Sequence, residues 1–184
     1  MDEQKMLLAA NAFLCSSRFT GKYVTTGTVF QRDGLDEYWL CVSAACDMVP
    51  RKPSANNKWR LGLYPFRLMF AARLQKLGSP TLALENAHLG KHIFIRAGTE
   101  VLTLEFVSKD LTEPNVVPLF AENAAMVADG KFNGSVVGKT DQGELVLQSA
   151  SYRPIAQLKS EYASRLLQQT GHHLSRIGVD FLSK

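Results

Sequence analysis

The sequence predicts an α+β domain: a strongly bent, mostly antiparallel sheet or a small SH3-like barrel, with N-terminal, middle and C-terminal helices. Three observations carry that prediction. Short apolar, β-branched runs recur between turn-forming residues, with helical stretches at the start, middle and end. Strands and helices do not alternate regularly, which argues against a parallel sheet. The third observation is a continuous apolar run, Tyr38, Trp39, Leu40, Cys41 and Val42, which suits a central strand covered on both faces. Ser43, Ala44 and Ala45 are then too small to fill a core, Asp47 can bond nearby backbone, and Pro50 cannot donate to a ladder. A buried strand running into a tight turn at Cys46 and Asp47 is the expectation.

Residues 2–16 read as a helix, because Met6, Leu7, Ala10, Phe13 and Leu14 recur at helical spacing and Asp2 and Glu3 suit its positive end. Residues 23–30 read as a strand, paired through a loop at Asp33 and Gly34 with the strand at Tyr38. Residues 51–58 have the composition of an exposed loop, and 59–64 read as a short strand. Pro65 suits the first position of a second helix, with Phe66, Met69, Phe70, Leu74 and Leu77 as its apolar stripe and Gly78 as its stop. Residues 92–96 and 100–107 form a hairpin across Ala97, Gly98 and Thr99, in a connection longer than the two-residue types. A connection over 111–118 and a short helix over 119–128 come next, then a second hairpin, 134–138 with 144–148. A helix over about 160–176 presents Ala163, Leu166, Leu167, Thr170 and Leu174 on one face, and Gly178 ends it before a docking tail.

A chain of 184 residues is long enough for one core, so residues 1–184 are read as a single domain. No apolar run reaches the roughly 18–20 residues of a membrane span. The acidic start, Asp2 and Glu3, is unlike a secretory leader, so the expected compartment is the cytoplasm and no membrane partner is expected. Three cysteines, Cys15, Cys41 and Cys46, cannot all pair within one chain and are read as free thiols. Charge is unevenly placed. Between Asp47 and Glu85 lie seven basic residues and no acid, within a chain of net charge +4, so the remainder is net acidic.

Several constellations resemble chemistry and fall short of it. Gly134 to Thr140 has the residue types of a phosphate-binding loop, but only three residues separate its glycines and a strand, not a helix, follows. Cys41 with Cys46, and His88 with His92, have ligand-like spacing but lie in strand contexts. Nothing local to Cys46 lowers its thiol pKa toward nucleophile duty with His172 or His173. No catalytic residue, metal ligand or cofactor is therefore assigned. The stretch from Arg51 to Lys76, with Trp59, Tyr64 and Phe66 interleaved, is the strongest functional feature. Asp47, Arg51, Lys52, Lys58, Trp59 and Arg60 are its candidate binding residues, for a protein partner or for RNA or DNA.

The segment Tyr38 to Pro50, preceded by Gly27-Thr28-Val29-Phe30 and followed by residues 156–163 and 176–181, resembles an uncharacterised bacterial domain that accompanies response-receiver-like regions. That resemblance implies a regulatory or interaction role in signalling or phage defence, with a histidine-kinase-like protein as partner. It brings no activity, and the acidic pair and phosphoacceptor strand of a receiver are absent from this sequence. The Gly-Thr-Val-Phe strand, the hydrophobic strand ending in Ser and Asp, and the late helix are also similar to the small barrel of the PemK/MazF toxin endoribonucleases. Asp36-Glu37-Tyr38 stands where that family has its arginine-and-proline strand entry, so no catalytic residue is carried over. The two readings are thus a non-enzymatic interaction domain and a nucleic-acid-binding barrel, the latter with ribonuclease activity as its extreme form.

Overall fold

The structure, a computed structural model, describes residues 2–50, 62–89, 92–107 and 115–175. Helix α1 (Glu3–Cys15) starts where the Asp2 carboxylate accepts a hydrogen bond from the Gln4 amide at 3.2 Å. Strands β1 (Ser16–Arg18), β2 (Thr28–Arg32) and β3 (Tyr38–Cys41) precede a one-turn helix α2 (Ala45–Met48). Next come β4 (Arg67–Lys76), α3 (Pro80–Glu85), the hairpin β5 (His92–Ala97) and β6 (Glu100–Phe106), and β7 (Val116–Ala121). The chain continues through β8 (Phe132–Lys139) and β9 (Leu145–Leu158) to helix α4 (Ser160–Ser175).

Six of these strands close a barrel in the order β3-β2-β9-β8-β7-β4, with β4 returning to β3 through Tyr38↔Leu74 to Cys41↔Ala71. Closure removes most edges. The β5–β6 hairpin continues the sheet from the end of β4, and β1 pairs with the end of β9.

Alternation along each strand sorts the core into layers. Phe30, Trp39, Cys41, Met69, Leu119, Phe132 and Tyr152 fill the barrel, with the Phe30 ring edge-on to Phe132 and Tyr152 at centroid distances of 5.2 and 5.5 Å. Val29, Leu40, Val42, Ala72 and Leu74 face outward and are covered by Ile93, Ile95, Leu102 and Leu104 of the hairpin and by Ala163 and Leu166 of α4. A third layer of Ala12, Ala83 and Phe94 seats α1 and α3 on the far face of the hairpin. As expected, β3 is buried on both faces: Trp39 is 6% exposed and Leu40 1%.

Four expectations are overturned. Residues 65–77 do not form a helix. From Arg67 they form β4, whose pairings with β3, β6 and β7 supply the backbone partners a helix would have supplied locally. Residues 116–121 are strand β7 and not part of a connection or a helix, and the chain then turns through left-handed Asn123, Ala124 and Ala125. The first hairpin strand is β2, displaced to Thr28–Arg32, with Tyr23 in an isolated bridge to Met126. The β5–β6 connection is the two-residue type, with Gly98 at φ +63° between the Ala97↔Glu100 pair. The expected strand over 59–64 falls partly outside the described residues, and Gly62 to Tyr64 are not in a strand. Gly178 and the tail after it also lie outside them.

Candidate functional site

Asp47 sits on α2, the single helical turn that replaces the expected tight turn, and its side chain is exposed. The neighbouring Met48 side chain is fully buried in the barrel, which pins the turn to the barrel end. The Arg67 guanidinium donates to the Asp47 carbonyl oxygen, tying α2 to the start of β4. One turn earlier, the Ser43 hydroxyl accepts from the Phe70 amide at 2.7 Å, and the Val42 amide donates to the Phe70 carbonyl at 2.9 Å. The small residues after β3 therefore serve to splice the chain onto β4. Arg51, Lys52, Lys58, Trp59 and Arg60, the other candidate binding residues, lie outside the described residues.

An exposed aromatic strip lies beside Asp47. Tyr64, Phe66 and Phe70 are 65%, 43% and 39% exposed, and Met126 is 41% exposed. They are held together by backbone: the Ala124 amide donates to the Pro65 carbonyl at 3.2 Å, which joins the left-handed turn before Met126 to the segment carrying Tyr64 and Phe66. Phe66 immediately precedes β4, and Phe70 projects from its outward face, where it pairs with the exposed Pro118 of β7. Aromatic side chains and methionine are what interface cores favour.

The thiols differ by depth. Burial pushes the Cys41 thiol up to about 12, against a smaller lowering from the Ser43 backbone, so it stays protonated inside the barrel. Cys46 is exposed beside Asp47. The two pairs read as ligand-like do not converge: Cys41 is an inner barrel residue, whereas His92 begins β5 in the outer hairpin and is buried there. Among the described residues, no group of three or more His, Cys, Asp and Glu side chains is placed to hold a metal. The glycine-rich run at Gly134 belongs to β8, and Gly143, at φ +85°, turns it into β9.

Sequence reading missed a charged cluster at the other end of β3. Glu37 meets Arg32 at 3.4 Å and Arg73 at 3.5 Å, and the Arg73 guanidinium lies 5.7 Å from the centre of the Trp39 ring. The indole N–H of Trp39 is buried with no acceptor among the described residues. Next to it Asp33 accepts from Lys131 at 2.6 Å and from Arg153 at 2.9 Å. The Lys131 hydrogen bond, aided by its charge and by Arg153, holds the Asp33 carboxyl below the usual carboxylate range despite some desolvation. No local motif marks this cluster, because its members come from β2, β3, β4 and β9 and from the turns beside β2 and β8.

Among the described residues no helix is long and apolar enough to cross a membrane. Searches of protein-family models, of curated proteins and of solved structures found no match to this chain.

Proposed function

We propose that this domain is a non-enzymatic protein-interaction module of a bacterial signalling or phage-defence protein, and that it binds its partner through the strip Tyr64, Phe66, Phe70 and Met126 with Asp47 at its rim. The observation that carries this reading is the exposure of three aromatic side chains on one barrel end, where they are splinted by backbone hydrogen bonds. Ordered aromatics lose little side-chain freedom on binding and present rigid apolar area to a partner. Asp47 adds a carboxylate at the edge, where a charge tunes association more than affinity. The resemblance of the Tyr38 to Pro50 segment supports the setting and supports a histidine-kinase-like protein as the partner.

Calorimetric titration with a histidine-kinase-like protein as the partner tests the reading. Phe66→Ser with Phe70→Ser should weaken binding by about tenfold or more, as loss of a hot-spot aromatic does. Unchanged affinity in the double variant would sink it.

A second reading is favoured by one detail: exposed Tyr64 and Phe66 directly follow the basic run Arg51, Lys52, Lys58 and Arg60. Bases of a single strand stack on such rings while the cations hold phosphates. Binding to an RNA homopolymer would then fall with salt at a log–log slope of roughly −0.7 per phosphate contact. Absence of RNA and DNA binding at low salt removes that reading and leaves the first intact.

A further inference from the structure

Strand β8 follows β7 only from Gly134 to Val136, yet its pairing with β9 continues out to Lys139↔Leu145. Beyond Val136 the two strands leave the barrel as a hairpin arm. Pro118 of β7 stands where they part, and its missing N–H is harmless there because no β8 partner is opposite. On the other side, β2 pairs with β9 only from Tyr152 onward, and the Asp33 amide donates to the Ser151 carbonyl at 2.8 Å. Between 145 and 150, alternate backbone N–H and C=O groups of β9 therefore point away from β8, with no partner among the described residues.

This edge, residues 145–150, carries no charged side chain, unlike the charged edges that proteins use to stay apart. Leu145 and Leu147 share one face and are 71% and 64% exposed, with Val137, paired to Leu147, 45% exposed beside them. Charge is split along the arm. Asp141 and Glu144 outnumber Lys139 among the exposed charges at its tip, whereas Arg153, its side chain 54% exposed even as it pairs with Asp33 at 2.9 Å, stands at its root. An antiparallel self-pairing centred on Leu147 sets that residue beside its own copy. It also sets the acidic tip of each arm against the arginine root of the other.

We infer that the β9 edge of the arm pairs with the same edge of a second copy of this chain, forming a two-fold dimer with one sheet running through both barrels. A strand edge can be capped by any extended chain. The opposed charges at tip and root favour this chain's own edge in reverse. The inference does not rest on the aromatic strip, whose Phe70 lies across Pro118 on the outward face of β4 and β7 and not on the β9 edge.

Sedimentation equilibrium of the full chain over a range of concentrations tests it. A reversible dimer is expected. Leu147→Lys should raise its dissociation constant by about tenfold or more, since a charge then enters the centre of the contact. The site is open enough that the monomer fold, followed by circular dichroism, should not change. Arg153→Glu should weaken the dimer, and Asp141→Arg added to it should recover most of the loss. A monomer at every concentration, or a dimer indifferent to Leu147→Lys, overturns the inference. A double charge variant no better than Arg153→Glu alone overturns the antiparallel register, and a dimer broken only by Phe66→Ser would put the contact on the other surface.

Discussion

On one side of the barrel Val29, Leu40, Val42 and Ala72 lie beneath the β5–β6 hairpin and α4, and on the other Phe66, Phe70, Val137 and Leu147 lie in the open. The side chains are of one kind. What differs is whether the described chain brings a cover. The covered half gains it because β4 runs on past β3 to reach β6, and because β9 delivers α4 directly onto the outer face. The open half is formed by the start of β4 and by the outward face of β7, β8 and the first part of β9, against which no described helix packs. An apolar face left open beside an equally apolar one that is closed marks a surface for association.

The comparison can be broken by truncating one apolar side chain on each side. Leu40→Ala on the covered face should cost about 2–5 kcal/mol in urea unfolding, the usual penalty for emptying a packed aliphatic site. Phe70→Ser on the open face should stay within about 0.5 kcal/mol, because water already reaches the ring. Equal losses would mean that the open face is buried after all. A pair of glycines sharpens the same point. Gly27 has φ +78°, and a Cβ there would stand 2.5 Å from the Ala163 Cβ of α4. Gly27→Ala should therefore destabilise by about 1–3 kcal/mol from overcrowding, with a backbone cost added. Gly143 has φ +85° at the arm tip and nothing within 4 Å, so Gly143→Ala should show only the backbone cost of about 1 kcal/mol.

Legibility in the sequence follows the same divide. Strand β3, the β5–β6 hairpin and α4 are written in local pattern, since each meets either one partner layer or two apolar ones throughout. Helix α1 is legible as a helix but not in its face, because Met6, Leu7, Ala10, Phe13 and Leu14, the expected apolar stripe, are exposed and Ala12 with Leu8 and Cys15 meets the hairpin instead. Strand β4 is not written in local pattern. Met69 and Ala71 point into the barrel, Ala72 and Leu74 face the hairpin, and Phe66 and Phe70 face solvent, so its apolar residues mimic helical spacing. The second half of β9, with Ser149, Ser151, Arg153 and Pro154, looks too polar for a strand. It forms because β2 lies alongside, and Pro154 is accommodated where the register shifts between Val29 and Phe30. Of the candidate binding residues, only Asp47 can be placed. Its exposure is readable from the turn chemistry; Tyr64 and Phe66 stand out as aromatics interleaved in the basic stretch, whereas Phe70, and Phe66 with it, also fits a helix stripe and so hides the strip. The cluster around Glu37 was invisible because only tertiary pairing assembles it.

Alkaline titration gives the mildest test, silent at neutral pH. Tyr38 and Tyr162 both belong to the covered side, packed in or against its layer. Burial, then the hydrogen bond from its hydroxyl to the Asp36 carboxylate at 2.6 Å, pushes Tyr38 up to about 12. Burial also pushes Tyr162 up to about 12, with its hydroxyl donating to the His92 carbonyl at 2.6 Å. Both folded values exceed the unfolded one near 10, so the fold favours the protonated phenols. Their contribution is whole below about pH 10 and is lost as pH rises through about 12. Phenolate absorbance should thus rise in two stages, the later one coinciding with loss of circular dichroism as the cover lifts from the barrel. In Tyr38→Phe the later stage should shrink by one phenol. If that variant instead loses absorbance from the early stage, Tyr38 is open to solvent and the covered face is not closed at the end of β3.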